Sequence, residues 1–109
     1  MKHFLIRYRF EHGSAADWHA EIGRFIAALD ADPELSGKIS YRAMKLRDDD
    51  TSYLHFATAA DDDAVKALGQ RPFFKHYTEQ TELVSGGSVE VLPLEIIAET
   101  AGVPGGCRR

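Results

Sequence analysis

Residues 38–58, KISYRAMKLRDDDTSYLHFAT, decide the fold. In the first run Ile39, Tyr41 and Ala43 alternate with Arg42, Met44 and Leu46. After Asp48-Asp49-Asp50, Leu54 and Phe56 alternate with Tyr53, His55 and Ala57. Successive side chains of a strand point to opposite faces, so two period-two runs joined by a polar turn predict a β-hairpin. The charge carried by the first run places it near a sheet edge.

Helical patterns flank this hairpin. Upstream, Glu11-His12-Gly13 interrupts the chain and Ser14 is placed to cap a helix, with Asp17 near the positive end of its dipole. Ala15, Trp18, Ile22, Phe25, Ile26 and Leu29 then form one apolar stripe, with Asp17, Glu21, Arg24 and Asp30 mostly off it, and Pro33 and Gly37 end the element. Downstream, Asp61-Asp62-Asp63 opens a short helix that buries Ala64, Val65 and Leu68 and stops at Gly69. Pro72 starts a second piece with Phe74, Tyr77, Thr81 and Val84 on one side, and Gly86-Gly87 closes it.

The outermost segments are strands. Lys2 to Phe10 puts Phe4, Ile6, Tyr8 and Phe10 on one face and His3, Leu5, Arg7 and Arg9 on the other. Ser88 to Ile97 sets Val89 and Val91 against Leu92, Leu94 and Ile96, and Pro93 favours an edge position. The order β-α-β-β-α-β predicts an α+β, ferredoxin-like sheet with helices on one face, occupying residues 1–100, followed by a flexible tail at 101–109. On the second face Leu5, Leu92, Leu94 and Ile96 are too apolar for free exposure, which predicts a homodimer that pairs two such faces.

At 109 residues the chain has room for one core, and 44% hydrophobic with 28% charged residues suits a globular domain. A net charge of −4 repels a phosphate backbone, so nucleic acid is not an expected partner. Phe4-Leu5-Ile6 is too short an apolar run for a signal sequence or a membrane span, and a cytoplasmic, membrane-free location is expected. Cys107, the single cysteine, allows no internal disulfide and suits a reducing compartment. His3, His12 and His19 show no metal-ligand spacing, and Gly86-Gly87 follows a helix where a phosphate loop would open one. No metal, nucleotide or flavin cofactor is expected.

Three groups of residues carry chemical interest. His76 is the first candidate base, since an imidazole changes charge near neutral pH; the competing reading is an outward-facing histidine. Arg7, Tyr53 and His55 are expected to share a sheet face as cation, phenol and imidazole, either as a catalytic group or as polar pairs within a dimer interface. Tyr8, Trp18, Phe25, Phe56, Phe73, Phe74 and Tyr77 are expected to line an apolar pocket for an aromatic or polyketide-like molecule, or else to fill the core.

The segment Arg71-Pro72-Phe73-Phe74-Lys75-His76-Tyr77 resembles the T-P-H-F-x-x-Y stretch that opens the last helix of antibiotic biosynthesis monooxygenase-like (ABM) domains, a family of the dimeric α+β barrel superfamily. Phe74 and Tyr77 match, and Phe73 stands at the family's histidine. By element order the resemblance spans residues 2–98. It implies a dimeric α+β barrel and a cofactor-independent monooxygenase, in which an electron-rich aromatic or quinol-like substrate itself reacts with oxygen. Quinol-oxidising members carry a glutamate and a tryptophan at the end of the third strand and a histidine on the next helix, where this chain has Ala57, Ala59 and Leu68. The haem-degrading branch uses an asparagine on the first strand, and this chain has no asparagine. The alternative reading is a non-catalytic small-molecule-binding or regulatory dimer of the same fold. An RNA-recognition motif shares the element order but requires an aromatic signature on the third strand that Thr51 to Ala57 lacks.

Overall fold

A computed structural model describes residues 1–102 of the chain. Its elements are β1 (Lys2–Arg9), α1 (Ala15–Ala31), β2 (Ile39–Lys45), β3 (Ser52–Ala59), α2 (Asp62–Gly69), α3 (Pro72–Ser85) and β4 (Glu90–Leu94). The strands form one antiparallel sheet in the order β2-β3-β1-β4, so the hairpin lies at one side and Pro93 falls on the opposite edge. This is the α+β, ferredoxin-like arrangement that the element order predicts.

Register fixes which residues share a face. Ile6 stands opposite His55 and Tyr8 opposite Tyr53, while Leu5 stands opposite both Phe56 and Leu92. The first set faces the helices, where Tyr8, Tyr53, Trp18, Ile22, Phe25, Leu29 and Tyr77 form the core. Leu35, in the connection after α1, is fully buried in the same core. Phe25 packs flat on Tyr77 with ring centroids 3.9 Å apart, and Trp18 stacks on the same ring at 5.7 Å. These contacts weld α1 to α3.

Local signals set the helix ends. The Ser14 hydroxyl accepts from the Asp17 N–H and the Asp61 carboxylate from the Ala64 N–H, each satisfying a donor that the first turn leaves open. Gly86 ends α3 with φ +63°, the left-handed conformation that glycine adopts without strain. Arg71, just before α3, reaches Asp32 at 2.7 Å and Glu34 at 2.6 Å, tying the start of α3 to the end of α1.

Two expectations need correction. β4 is shorter than the predicted Ser88–Ile97, because the β1 ladder runs out. In the register that pairs His3 with Leu94, Ile96 would meet Met1, before β1 starts, and at the other end the Ser88 side chain takes up the Arg9 N–H. Ala15 is exposed at the head of its helix, so the buried stripe begins at Trp18. Of the predicted tail only Ala101 and Gly102 fall within the described residues, and Cys107 lies outside them. Among the described residues no helix is long and apolar enough to cross a membrane.

Replacing Phe25, 3% exposed, by alanine removes the ring on which Tyr77 stacks. Urea unfolding should show a loss of about 3–5 kcal/mol, the usual cost of emptying a buried aromatic site.

Candidate functional site

His55 sits at the centre of β3, is 1% exposed, and turns both ring nitrogens toward phenols. On one side the Tyr8 hydroxyl lies 2.8 Å from Nε2 and also accepts the Trp18 indole N–H at 2.8 Å. On the other side Nδ1 meets the Tyr41 hydroxyl at 2.5 Å and that of Tyr77 at 3.2 Å, and these two hydroxyls are 3.2 Å apart. Strand alternation brings Tyr8, Tyr41 and His55 to the helix side of three adjacent strands, and the apolar stripes of α1 and α3 deliver Trp18 and Tyr77.

This cluster forms the polar floor of a cavity of about 520 Å³ between the sheet and the helices α2 and α3. Apolar walls come from residues such as Ile6, Phe25, Leu68 and Phe74, with the exposed Glu79 and Glu82 at the rim. Ala57 and Ala59 also line it. At these two positions the resemblance places a glutamate and a tryptophan; methyl groups there leave the space open. No lysine or arginine lines the cavity among the described residues, nor do any three His, Cys, Asp or Glu side chains gather as a metal ion requires.

The environment holds every ionisable group at the floor uncharged. Burial pushes the Tyr8, Tyr41 and Tyr77 phenols well above their ordinary range, so each keeps its proton. Burial also disfavours the His55 imidazolium and lowers its pKa to about 4. At neutral pH the ring is neutral, with one N–H and one lone pair.

The predicted site residues separate. Phe25, Phe74 and Tyr77 line the cavity with His55, while Tyr8 and Trp18 back the imidazole from the core side. Tyr53 is buried on the same face but turns its hydroxyl to His19, outside the cavity lining. Phe73 packs near Phe25, with ring centroids 6.0 Å apart, behind the wall. Phe56 does not join the pocket: it lies on the outer sheet face and stacks on His3. Arg7 does not share a face with Tyr53 and His55 either; it stands opposite Leu54 on the outer face and pairs with Glu90 at 2.6 Å. His55, turned to the helices, is thereby removed from any sheet-face interface. His76 projects outward, 59% exposed, with its Nε2 3.3 Å from Glu21, and does not line the cavity. Sequence reasoning missed Tyr41. Its only signal was a tyrosine in step with Ile39 and Ala43 on an otherwise polar strand.

The lowered His55 pKa ties folding stability to pH. The unfolded chain takes up this proton as pH falls through its ordinary value of 6.5, whereas the folded chain resists until about 4. The contribution is whole above the first value and lost progressively toward the second, on the order of 3 kcal/mol. Urea midpoints between about pH 7 and pH 4.5 should fall clearly less in His55→Gln than in the wild type. An equal fall in both proteins would assign the effect to other groups.

No family model and no curated protein matches the sequence. Solved structures do share its fold. SnoaB from Streptomyces nogalater, a cofactor-independent oxygenase, superposes with TM-score 0.73 at 19% identity over 93% of this chain and 98% of that one. A candidate antibiotic biosynthesis monooxygenase from Bacteroides thetaiotaomicron VPI-5482 gives TM-score 0.75 at 17% identity, covering 94% of each chain. A dimeric ferredoxin-like protein of unknown function from Jannaschia sp. CCS1 gives 0.62 at 20% identity over 88% of this chain and 100% of its own. The chain therefore has the α+β, ferredoxin-like protomer fold that its resemblance to ABM-like domains implies.

Proposed function

We propose that the protein binds an uncharged aromatic, quinol-like molecule in the cavity above His55 and acts on it as a cofactor-independent oxygenase. The observation that carries this reading is the cavity itself, an apolar chamber with one polar cluster at its floor. Such a site fixes the orientation of a flat, mostly apolar ligand through a few hydrogen bonds. The oxygenase chemistry is supported by the fold shared with a cofactor-independent oxygenase. A quinol supplies all four electrons of such a reaction itself, two in becoming a quinone and two in the ring hydroxylation. Quinol and O₂ give a hydroxyquinone and water, with one oxygen atom entering the ring and the other leaving with the two hydrogens lost.

In this reading no protein group is required to become charged, which suits a floor that keeps three phenols and an imidazole neutral. The base role expected of His76 has no support from its position outside the cavity. The same neutral floor also favours a second reading, a carrier that binds the molecule without converting it. Oxygen uptake separates the two: purified protein with a naphthoquinol should consume O₂ faster than the quinol alone and yield hydroxyquinone in equal amount. Binding with no uptake above background would leave the carrier, and no binding would remove both.

We further propose a homodimer formed through the outer sheet face. Leu5, Leu54, Phe56 and Leu92 line that face half-buried, while Met44 and Leu94 are 42% and 41% exposed. A second copy would cover them, and a protein of the same fold is dimeric. Light scattering should give about twice the chain mass of 12.1 kDa, and Leu5→Arg should shift it to monomer. A monomeric wild type at micromolar concentration would overturn the proposal.

A further inference from the structure

The hydrogen bonds around His55 have a direction. An indole N–H only donates, so the Tyr8 oxygen accepts from Trp18. Among the described residues, the other partner of the Tyr8 hydroxyl is His55 Nε2. If Nε2 carried the imidazole proton, the Tyr8 oxygen would receive two donors and its own hydrogen would have no acceptor. Tyr8 is 4% exposed and stands behind the cavity lining, where no ligand or solvent in the cavity could take that hydrogen, and buried donors rarely go unpaired. The Tyr8 hydroxyl therefore donates to Nε2, and the ring proton resides on Nδ1.

From Nδ1 the chain continues toward the cavity. The N–H donates to the nearer oxygen, Tyr41 at 2.5 Å, in preference to Tyr77 at 3.2 Å. Either hydroxyl can donate across the 3.2 Å contact between Tyr41 and Tyr77; a chain whose bonds all run one way strengthens each of them, so the Tyr41 hydroxyl donates to the Tyr77 oxygen. The Tyr77 hydroxyl hydrogen is left with no acceptor among the described residues, on a residue that lines the cavity. The opposite tautomer would reverse the sense: Nδ1 would then accept from Tyr41, and Tyr77 could spend its hydrogen on the Tyr41 oxygen.

From this polarity we infer that the cavity selects ligands bearing a hydrogen-bond-accepting, uncharged oxygen, an aromatic ketone or quinone carbonyl, and that the Tyr77 hydroxyl holds it. The inference rests on the cavity being the ligand site. Carboxylates are disfavoured, because an anion entering an apolar chamber would meet no cation on its lining among the described residues and two glutamates at its rim. Trp18, Tyr8 and His55 act as positioning residues: they set the direction in which Tyr77 points its proton, through Tyr41 or, without it, directly from Nδ1. Tyr77 is the contacting residue.

Two measurements test this on the full chain. NMR of the protein labelled with ¹⁵N-histidine, without ligand, reads the His55 tautomer, and protonation at Nδ1 is expected. Titrations with naphthoquinone, naphthalene and naphthoate should show naphthoquinone binding about tenfold more tightly than naphthalene, the effect of one net hydrogen bond, with naphthoate weakest. Tyr77→Phe should weaken that preference, and the double variant Tyr41→Phe/Tyr77→Phe, which also removes the lining hydroxyl that the single change frees, should abolish it and keep naphthalene binding. Tyr41→Phe should preserve the preference, since Nδ1–H then donates to the Tyr77 oxygen directly and leaves its hydrogen free. A His55 protonated at Nε2, or an undiminished preference in Tyr77→Phe, would overturn the inference while leaving the cavity as a binding site. Failure of wild-type protein to bind either uncharged compound would overturn the site reading and the inference together.

Discussion

A neutral imidazole buried at the middle of a sheet has to find one donor and one acceptor, and the site depends on how this chain meets that demand for His55. The partners come from β1 and β2 and, through Trp18 and Tyr77, from α1 and α3. A half-satisfied buried cluster is worse than an apolar core, so these elements are held in one relative arrangement or the cluster fails. Hydrogen bonding here supplies specificity on top of packing. Phe25 lying flat on Tyr77, and Trp18 beside it, fix the ring that carries the last hydroxyl of the chain.

The cavity exists because small residues meet a divided helical layer. On β3, Ala57 and Ala59 offer only methyl groups toward the helices, while α2 is one short helix that buries Ala64 and Ala67. Larger side chains on β3 would fill the chamber and turn a site into a core. What remains is apolar on its walls and polar at one end. That geometry supports the proposed binding of a flat molecule, with hydrogen-bond sense, more than charge, as the proposed means of discrimination.

Structures at 16–20% identity share the fold, yet fold and function are separable. The glutamate, tryptophan and histidine that the resemblance associates with quinol oxidation are absent, and a histidine ringed by phenols and an indole occupies the cavity floor. The members of that cluster sit on scattered elements and form no contiguous motif.

The sequence alone determined the elements and their faces. Period-two alternation in Lys2–Phe10 and in Tyr53–Ala57 separated inner from outer residues within each strand, the stripe from Trp18 to Leu29 marked the buried side of α1, and Pro72 and Gly86-Gly87 bounded α3. Only tertiary structure decided which face of one strand joins which face of the next. A one-residue change of register exchanges every side chain between faces, and no local pattern encodes it, so Arg7 and Phe56 were expected beside groups from which the sheet divides them. Tyr41 and His55 lie fourteen residues apart on neighbouring strands, and their contact is set by the hairpin register. The direction of the proton chain lies deeper still, because it follows from counting donors and acceptors around a buried ring, and that count exists only once five side chains from separate elements have been brought together.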